Sequence, residues 1–459
     1  MNATIAAIAT APGEAGIGIV RLSGEKSLEI LDHIFMPTKG NSIKEYQSRR
    51  LTHGKIIDPK TKQVVDEVLV TYMKAPFTYT AEDVVEIDCH GGIVPVRKIL
   101  ELVLRCGARM AEPGEFTKRA FLNGRMDLSQ AEAVMDLISA KTDKSFDVAF
   151  GQLEGSLSKQ VKKITDTLLE MMANITVNID YPDEDIEEIT YQELLKGANH
   201  IKKDIEQLLR SAYTGKIIKE GLNTVIIGKP NVGKSSLMNA LLKESRAIVT
   251  EVPGTTRDII EEFLSIQGIP LKIIDTAGIR ETEDLVERIG VERSKEFFNK
   301  GDLVIFIVNA SESLTEEDKK IIELLQNRKT IVLMNKTDLP IVLEEEEIKN
   351  LLPNKKIIKI SIVEEKGLKE LEDTIVDMVY GGQIKQKEAS FITNVRHKDT
   401  LEKAKMSIEE GIDAIKQELA LDFIEVDVKN TWEYLGEITG DTVGEDVIDQ
   451  IFSKFCLGK

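Results

Sequence analysis

Several things are scarce in this 459-residue chain. It has three cysteines, Cys89, Cys106 and Cys456, too few for a disulfide framework, and a reducing, cytoplasmic address follows as the expectation. No run of about 18 apolar residues occurs, so no membrane-spanning helix is expected. The opening stretch, MNATIAAIATAPGEAGIGIV, has no basic start and is broken by Pro12 and by glycines, so it reads as folded protein and not as a secretory signal. Positive charge is also short: 60 Lys and Arg against 78 Asp and Glu leave a net charge of −18. Phosphate backbones attract cations, so the chain makes a poor stand-alone nucleic-acid binder. Any work on RNA would need a local basic patch or a basic partner.

What is present suits a globular protein with real cores: 42% hydrophobic and 30% charged residues, over a length that fits about three domains. Residues 1–118 mix β-branched strand runs (ATIAAIAT, GIGIVRLSG, EVLVTYMKA, DVVEIDCHGG) with the helical VPVRKILELVLRCGA, which predicts an α+β domain. Residues 119–215 turn helical, with Ser129 and Glu132 spaced as a capping box and a long helix through LEGSLSKQVKKITDTLLEMMANITVNI. The acidic YPDEDIEE reads as a solvated loop. Residues 216–380 alternate short apolar strands (TVIIG, EEFLSIQ, LKIIDT, LVIFIVN, TIVLMN, IIKISI) with helices, which predicts a largely parallel, doubly wound α/β sheet. GGQ at 381–383 reads as a linker, and residues 381–459 are helical again. The simplest architecture is an α/β domain inserted into a helical domain, with the α+β domain ahead of both.

Gly228-x-x-x-x-Gly233-Lys234-Ser235 follows a strand and opens a helix, the context a phosphate loop needs. There the backbone N–H groups meet phosphate oxygens, Lys234 reaches the β/γ oxygens, and Ser235 ligates Mg²⁺. Asp275-Thr276-Ala277-Gly278 lies 41 residues after Lys234, where Asp275 can approach Mg²⁺ and the Gly278 N–H the γ-phosphate. Asn335-Lys336-Thr337-Asp338 lies a further 60 residues on. Asp338 can accept two hydrogen bonds from the N1 and N2 edge of guanine, an edge adenine lacks, while Asn335 and Lys336 support the base. Ser361-Ile362-Val363 stands where a last base loop would read Ser-Ala-Lys, so that contact has less support. The nucleotide contacts then run through Asn231, Val232, Gly233, Lys234, Ser235 and Ser236 of the loop. A second stretch supplies Thr250, Glu251, Val252, Pro253, Gly254, Thr255 and Thr256.

One absence cuts against this set. In the best-known signalling GTPases a glutamine follows the DTAG glycine and orients the attacking water; here the residue is Ile279. Glu287, 12 residues after Asp275, is one candidate substitute, although a solvated helix charge is the plainer reading of it from the sequence alone.

The ordered motifs resemble the translation-factor-like GTPase superfamily. Asn231 in GKPNVGKS with Gly254-Thr255-Thr256 resembles its potassium-dependent members, and that likeness implies K⁺ held by the Asn231 side chain, the Thr250 and Val252 carbonyls and Thr255, with Thr256 on Mg²⁺. DTAGIRETEDLVERIG followed by VERS, together with FCLGK at 455–459, is similar to the MnmE/TrmE family over essentially the whole chain. That resemblance implies an N-terminal folate-binding-like, dimerising domain, a split helical domain and an inserted Ras-like P-loop GTPase domain. It implies catalysis by Lys234 and Glu287, with Arg280 a candidate for switch ordering or the domain interface, and Cys456 in modification. It implies 5-formyl- or methylene-tetrahydrofolate bound by Arg21, Glu86, Arg125 and Lys459. It further implies a homodimer joined to the flavoprotein MnmG (GidA), which carries FAD and uses NADH, in a heterotetramer or larger complex that acts on tRNA. The activity implied is K⁺-dependent GTP hydrolysis coupled to an aminomethyl or carboxymethylaminomethyl group at C5 of uridine 34. The alternative is a ribosome-assembly GTPase switch without modification chemistry. Members of that kind carry a second GTPase domain or a basic Gly-x-x-Gly module; the phosphate-loop motif occurs once, and no such module follows residue 381. A folate-dependent transferase working without a flavoprotein is a further alternative.

Overall fold

A computed structural model describes residues 3–39, 42, 47–180, 190–244, 262–274, 301–381 and 391–459. The chain divides into two compact units, one of residues 1–135, 153–165 and 432–459, the other of residues 136–152 and 166–431.

The first unit is built on a seven-stranded sheet in the order β3-β4-β5-β6-β2-β1-β7. Its strands are β1 (Ile5–Ile8), β2 (Ile17–Ser23), β3 (Phe35–Pro37), β4 (Leu51–Ile57), β5 (Val64–Met73), β6 (Val84–His90) and β7 (Arg109–Met110). All neighbours are antiparallel except β1 and β7. Period-two alternation sends Val20, Leu22, Val85 and Ile87 to a core shared with the helices Ser27–Ile34 and Ile93–Arg105. The intervening Arg21 and Glu86 therefore share the other face, directly opposite each other in register. Residues 432–459 also belong to this unit: Phe452 and Phe455 pack with Ala120 and Leu128, and Gly458 lies against β1. A Cβ on Gly458 would stand 2.2 Å from the Ile8 carbonyl oxygen, at a φ of +86°, so only glycine fits there.

The second unit contains a six-stranded sheet in the order β13-β12-β11-β8-β10-β9. These are β8 (Leu222–Ile227), β9 (Glu262–Ile266), β10 (Ile269–Ile273), β11 (Leu303–Asn309), β12 (Thr330–Asn335) and β13 (Lys356–Lys359). Among the described residues, the β9–β10 pair is antiparallel and the other neighbours are parallel. LVIFIVN shows why the central strands read as apolar runs. Ile305 and Ile307 face the helices Lys234–Glu244 and Leu368–Tyr380, while Val304, Phe306 and Val308 face the helices Glu316–Leu325 and Glu345–Leu351. A sheet covered on both faces needs apolar residues at every position.

Two helical expectations need correction. The helix Leu128–Ser139 is opened by Asp127 and not by Ser129: the Asp127 carboxylate accepts the Gln130 N–H at 3.0 Å, and the Gln130 side-chain oxygen accepts the Asp127 N–H at 3.0 Å. Leu128 is fully buried, which draws the helix start one residue ahead of Ser129, itself buried and bonded to Ser158. The long helix expected from Leu153 is present but starts at Ser156. The helix Asp143–Leu153 ends at Leu153, Glu154 and Gly155 turn, and Ser156–Asp180 follows. YPDEDIEE lies outside the described residues.

Candidate nucleotide and ligand sites

The phosphate loop lies at the carboxyl end of β8, the edge where parallel α/β sheets bind ligands. Val232 is buried, whereas Asn231, Ser235 and Ser236 are exposed. Asn231 has φ +63°, a left-handed conformation asparagine tolerates, and it turns the loop so that the N-terminus of the Lys234–Glu244 helix opens outward. Leu237 N–H is bonded to the Gly233 carbonyl, which leaves the N–H groups of the first helical turn for an anion. The Lys234 ammonium donates to the Gly228 and Lys229 carbonyls, both at 2.6 Å. Burial lowers its pKa, partly offset by the negative charge of Glu317.

The base-recognition residues join the phosphate loop directly. Asn335 ends β12, is 3% exposed, and donates its side-chain N–H to the Val232 carbonyl at 2.7 Å. Asp338 is exposed, and its carboxylate accepts the Ser361 hydroxyl at 2.6 Å. That bond, a backbone N–H and Lys336 hold the Asp338 carboxyl below the usual range, so it stands ionised as an acceptor. Ser361 is fully buried and also accepts the Glu364 N–H, so the serine of the last loop has its part even though Ile362 and Val363 follow it. Thr250, Glu251, Val252, Pro253, Gly254, Thr255, Thr256, Asp275, Thr276, Ala277, Gly278, Arg280 and Glu287 lie outside the described residues.

In the first unit the four positions expected to bind folate gather around two rings. Arg21 donates to Glu86 at 2.8 Å and stands over the Phe116 ring at 5.9 Å. Phe116 N–H is bonded to the Lys459 carbonyl at 3.2 Å. Arg125 lies 4.9 Å above the ring of Tyr79, which packs beside Phe116 and pairs its hydroxyl with Thr117 at 2.9 Å. Phe116 is fully buried core and Tyr79 half-buried, and neither was singled out in the sequence, because nothing in the spacing of an isolated Tyr or Phe marks a contact with an arginine. In the same unit, Arg119 is 3% exposed and bonds Glu82, Glu115 and the Ala3 carbonyl. Asp88, two residues from Glu86 on the same strand face, has a buried carboxylate oxygen without a hydrogen-bond partner among the described residues. Desolvation, then the nearby Glu86 charge, raise its pKa. Cys456 is exposed, and its carbonyl accepts the Gly114 N–H.

A two-sided parallel sheet with a Gly-rich loop leading into a helix N-terminus, and an Asn-Lys-x-Asp strand end tied to that loop, defines a P-loop nucleotide-binding protein. The comparisons sharpen this class. The family model "MnmE helical domain" matches residues 128–456, and "GTP-binding protein TrmE N-terminus" matches residues 4–125. The chain is 64% identical over 456 residues to a protein of Alkaliphilus oremlandii named tRNA modification GTPase MnmE, covering 99% of each. Proteins of the same name from Alkaliphilus metalliredigens and Bacillus subtilis are 62% and 51% identical, over 100% and 99% of this chain. The chain belongs to the MnmE/TrmE family.

Proposed function

We propose that this chain is a GTPase that takes part in tRNA modification. The observation that carries the nucleotide half is the set of hydrogen bonds Ser361–Asp338, Ile362 N–H to Asn335 and Asn335–Val232, which supports reading Asp338 as a guanine acceptor beside the phosphate loop. The tRNA half rests on family membership at 64% identity across the whole length of a relative bearing that name.

Within that reading, Asn231, Val232, Gly233, Lys234, Ser235 and Ser236 hold the phosphates, and Asp338 reads the base. Ser235 and Thr256 would hold Mg²⁺, while Asn231, Thr250, Val252 and Thr255 would hold K⁺; both ions supply positive charge where negative charge develops during phosphoryl transfer. Glu287 orients the attacking water in place of the absent glutamine. Arg21, Glu86, Arg125 and Lys459 would hold a tetrahydrofolate, and the orphaned Asp88 oxygen beside Glu86 fits a ligand that brings N–H groups to this face. When bound, that cofactor supplies a one-carbon unit; the role of this chain is to seat it. Arginine and lysine suit an acidic tail, and the carboxylates suit an amino-substituted ring edge. A homodimer working with a flavoprotein partner, MnmG, on uridine 34 completes the proposal, and the net charge of −18 assigns much of the RNA affinity to that partner.

The test is GTP hydrolysis in KCl and in NaCl at equal ionic strength, for the wild type and Glu287→Ala. Stimulation by K⁺ that is lost in the variant, with GTP binding retained, supports both roles. Equal rates in the two salts with an unharmed variant remove the mechanism.

A further inference from the structure

Two charges of the nucleotide unit are buried and have no part in the site as described so far. Lys229 is the first residue after Gly228 in the phosphate loop, and its side chain is only 13% exposed. Its ammonium lies 2.8 Å from one carboxylate oxygen of Asp318, which is 2% exposed. Asp318 sits in the first turn of the helix Glu316–Leu325. The same oxygen accepts the Thr315 N–H at 2.9 Å and the Thr315 hydroxyl at 2.8 Å, closing a capping box. The other Asp318 oxygen is buried and has no hydrogen-bond partner among the described residues. A capping box needs no lysine, and a surface-seeking lysine has no need of a buried carboxylate. Burying both charges is costly unless the pairing fixes something.

We propose that Lys229 is a positioning residue of the phosphate loop, pinned by Asp318 so that the loop is shaped before nucleotide arrives. The consequence runs through the backbone. The Lys229 carbonyl, with that of Gly228, accepts the Lys234 ammonium, so fixing the Lys229 side chain fixes one anchor of the lysine that must reach phosphate. The far side of the loop is pinned separately, by Asn335 on the Val232 carbonyl. The Lys234 ammonium has a third N–H to give to phosphate, and the loop holds its shape through the Lys229–Asp318 and Asn335–Val232 pins as well. A loop ordered beforehand gives up less conformational freedom on binding, so the pin acts on affinity.

This inference rests on the reading of the loop as a GTP site, and the test separates the two. Affinity for a fluorescent GTP and GDP analogue is measured on the full chain for the wild type, Lys229→Ala, Lys229→Arg, Asp318→Asn and the double variant Lys229→Ala/Asp318→Asn, with steady-state GTP hydrolysis alongside. Lys229→Ala is expected to weaken both nucleotides about tenfold, equivalent to roughly 1.4 kcal/mol. KM should rise by at least as much, with a smaller fall in kcat. Lys229→Arg should restore most of the affinity. The double variant should be no worse than the weaker single one, because a shared contact is lost only once. Wild-type affinity in Lys229→Ala, or strictly additive losses in the double variant, would overturn the pin. A wild type that binds no guanine nucleotide would overturn the GTP reading and the pin with it. A merely structural lysine would lower the thermal midpoint without this separation of KM from kcat, and that result also counts against the proposal.

Discussion

Gly233→Ala is the sharpest perturbation the nucleotide site offers. Gly233 has φ +108°, and a Cβ there would stand 2.3 Å from the Asn335 side-chain nitrogen and 3.3 Å from Ile362 Cδ1. Backbone of that kind costs a residue with a side chain roughly 1–3 kcal/mol. The first contact cannot be kept, so Asn335 must move by about 1 Å to reach ordinary van der Waals separation. It then loses the 2.7 Å bond to Val232 and leaves that carbonyl without its partner, worth about 1–3 kcal/mol more. The sum, roughly 2–6 kcal/mol, is comparable with the whole stability of many domains, so the loop should leave its seat before the sheet unfolds. Binding that must first restore the loop would weaken by about 30-fold or more. The assay is titration with a fluorescent GTP analogue, with circular dichroism to follow the sheet. Asn335→Ala supplies the internal check. If the collision runs through Asn335, Gly233→Ala should cost distinctly less in that background than in the wild type. Gly233→Ala binding within threefold of wild type would refute the argument. So would equal costs in both backgrounds.

Three further outcomes follow from the first unit. Arg119→Ala leaves the Glu82 and Glu115 carboxylates facing each other without their shared cation, and thermal or denaturant unfolding should show a loss of about 3 kcal/mol or more. Burial opposes charge on Glu115, but Arg109, the Glu112 N–H and Arg119 outweigh it and hold its carboxyl below the usual range. A depressed carboxylate pKa adds stability that is complete above the ordinary carboxylate value and is lost as pH falls through the folded-state value. Unfolding midpoints measured below about pH 4.5 should therefore fall more steeply in the wild type than in Glu115→Gln, whereas parallel curves would refute the assignment. Alkylation followed by mass spectrometry at pH 8 should label exposed Cys456 first and Cys89 last. Cys89 is buried, and desolvation followed by the Asp66 charge pushes its thiol up to about 11.

How much of this was legible beforehand depended on whether the signal was local. The strands of the second unit stood out because each is short and mostly apolar, and in the central β11 and β12 a sheet covered on both faces imposes that pattern residue by residue. Gly228 to Ser235 and Asn335 to Asp338 were legible because phosphate and guanine demand particular atoms at particular spacings. The edge strands β3 and β7 of the first unit, and β4 beside β3, escaped notice. LTHGKII alternates around a glycine and a histidine and carries half the apolar content of a two-sided strand. The start of the Leu128–Ser139 helix was misplaced because Asp127 to Gln130 and Ser129 to Glu132 offer overlapping caps, and the long-range bond of Ser129 to Ser158, invisible in the sequence, engages the second.

Long-range pairings were the least legible, and they are what turn motifs into a site. Lys229 and Asp318 are 89 positions apart, and each looks like a surface charge in its own stretch of sequence. Arg21 and Glu86 are 65 positions apart, and they face each other only because β2 and β6 pair in that register. A motif fixes which atoms meet the ligand, while pairings of this kind fix where those atoms stand before the ligand arrives. Affinity depends on both. Substitutions at Lys229, Asp318 or Arg119 should therefore affect binding or stability although no short motif contains the pairings they form.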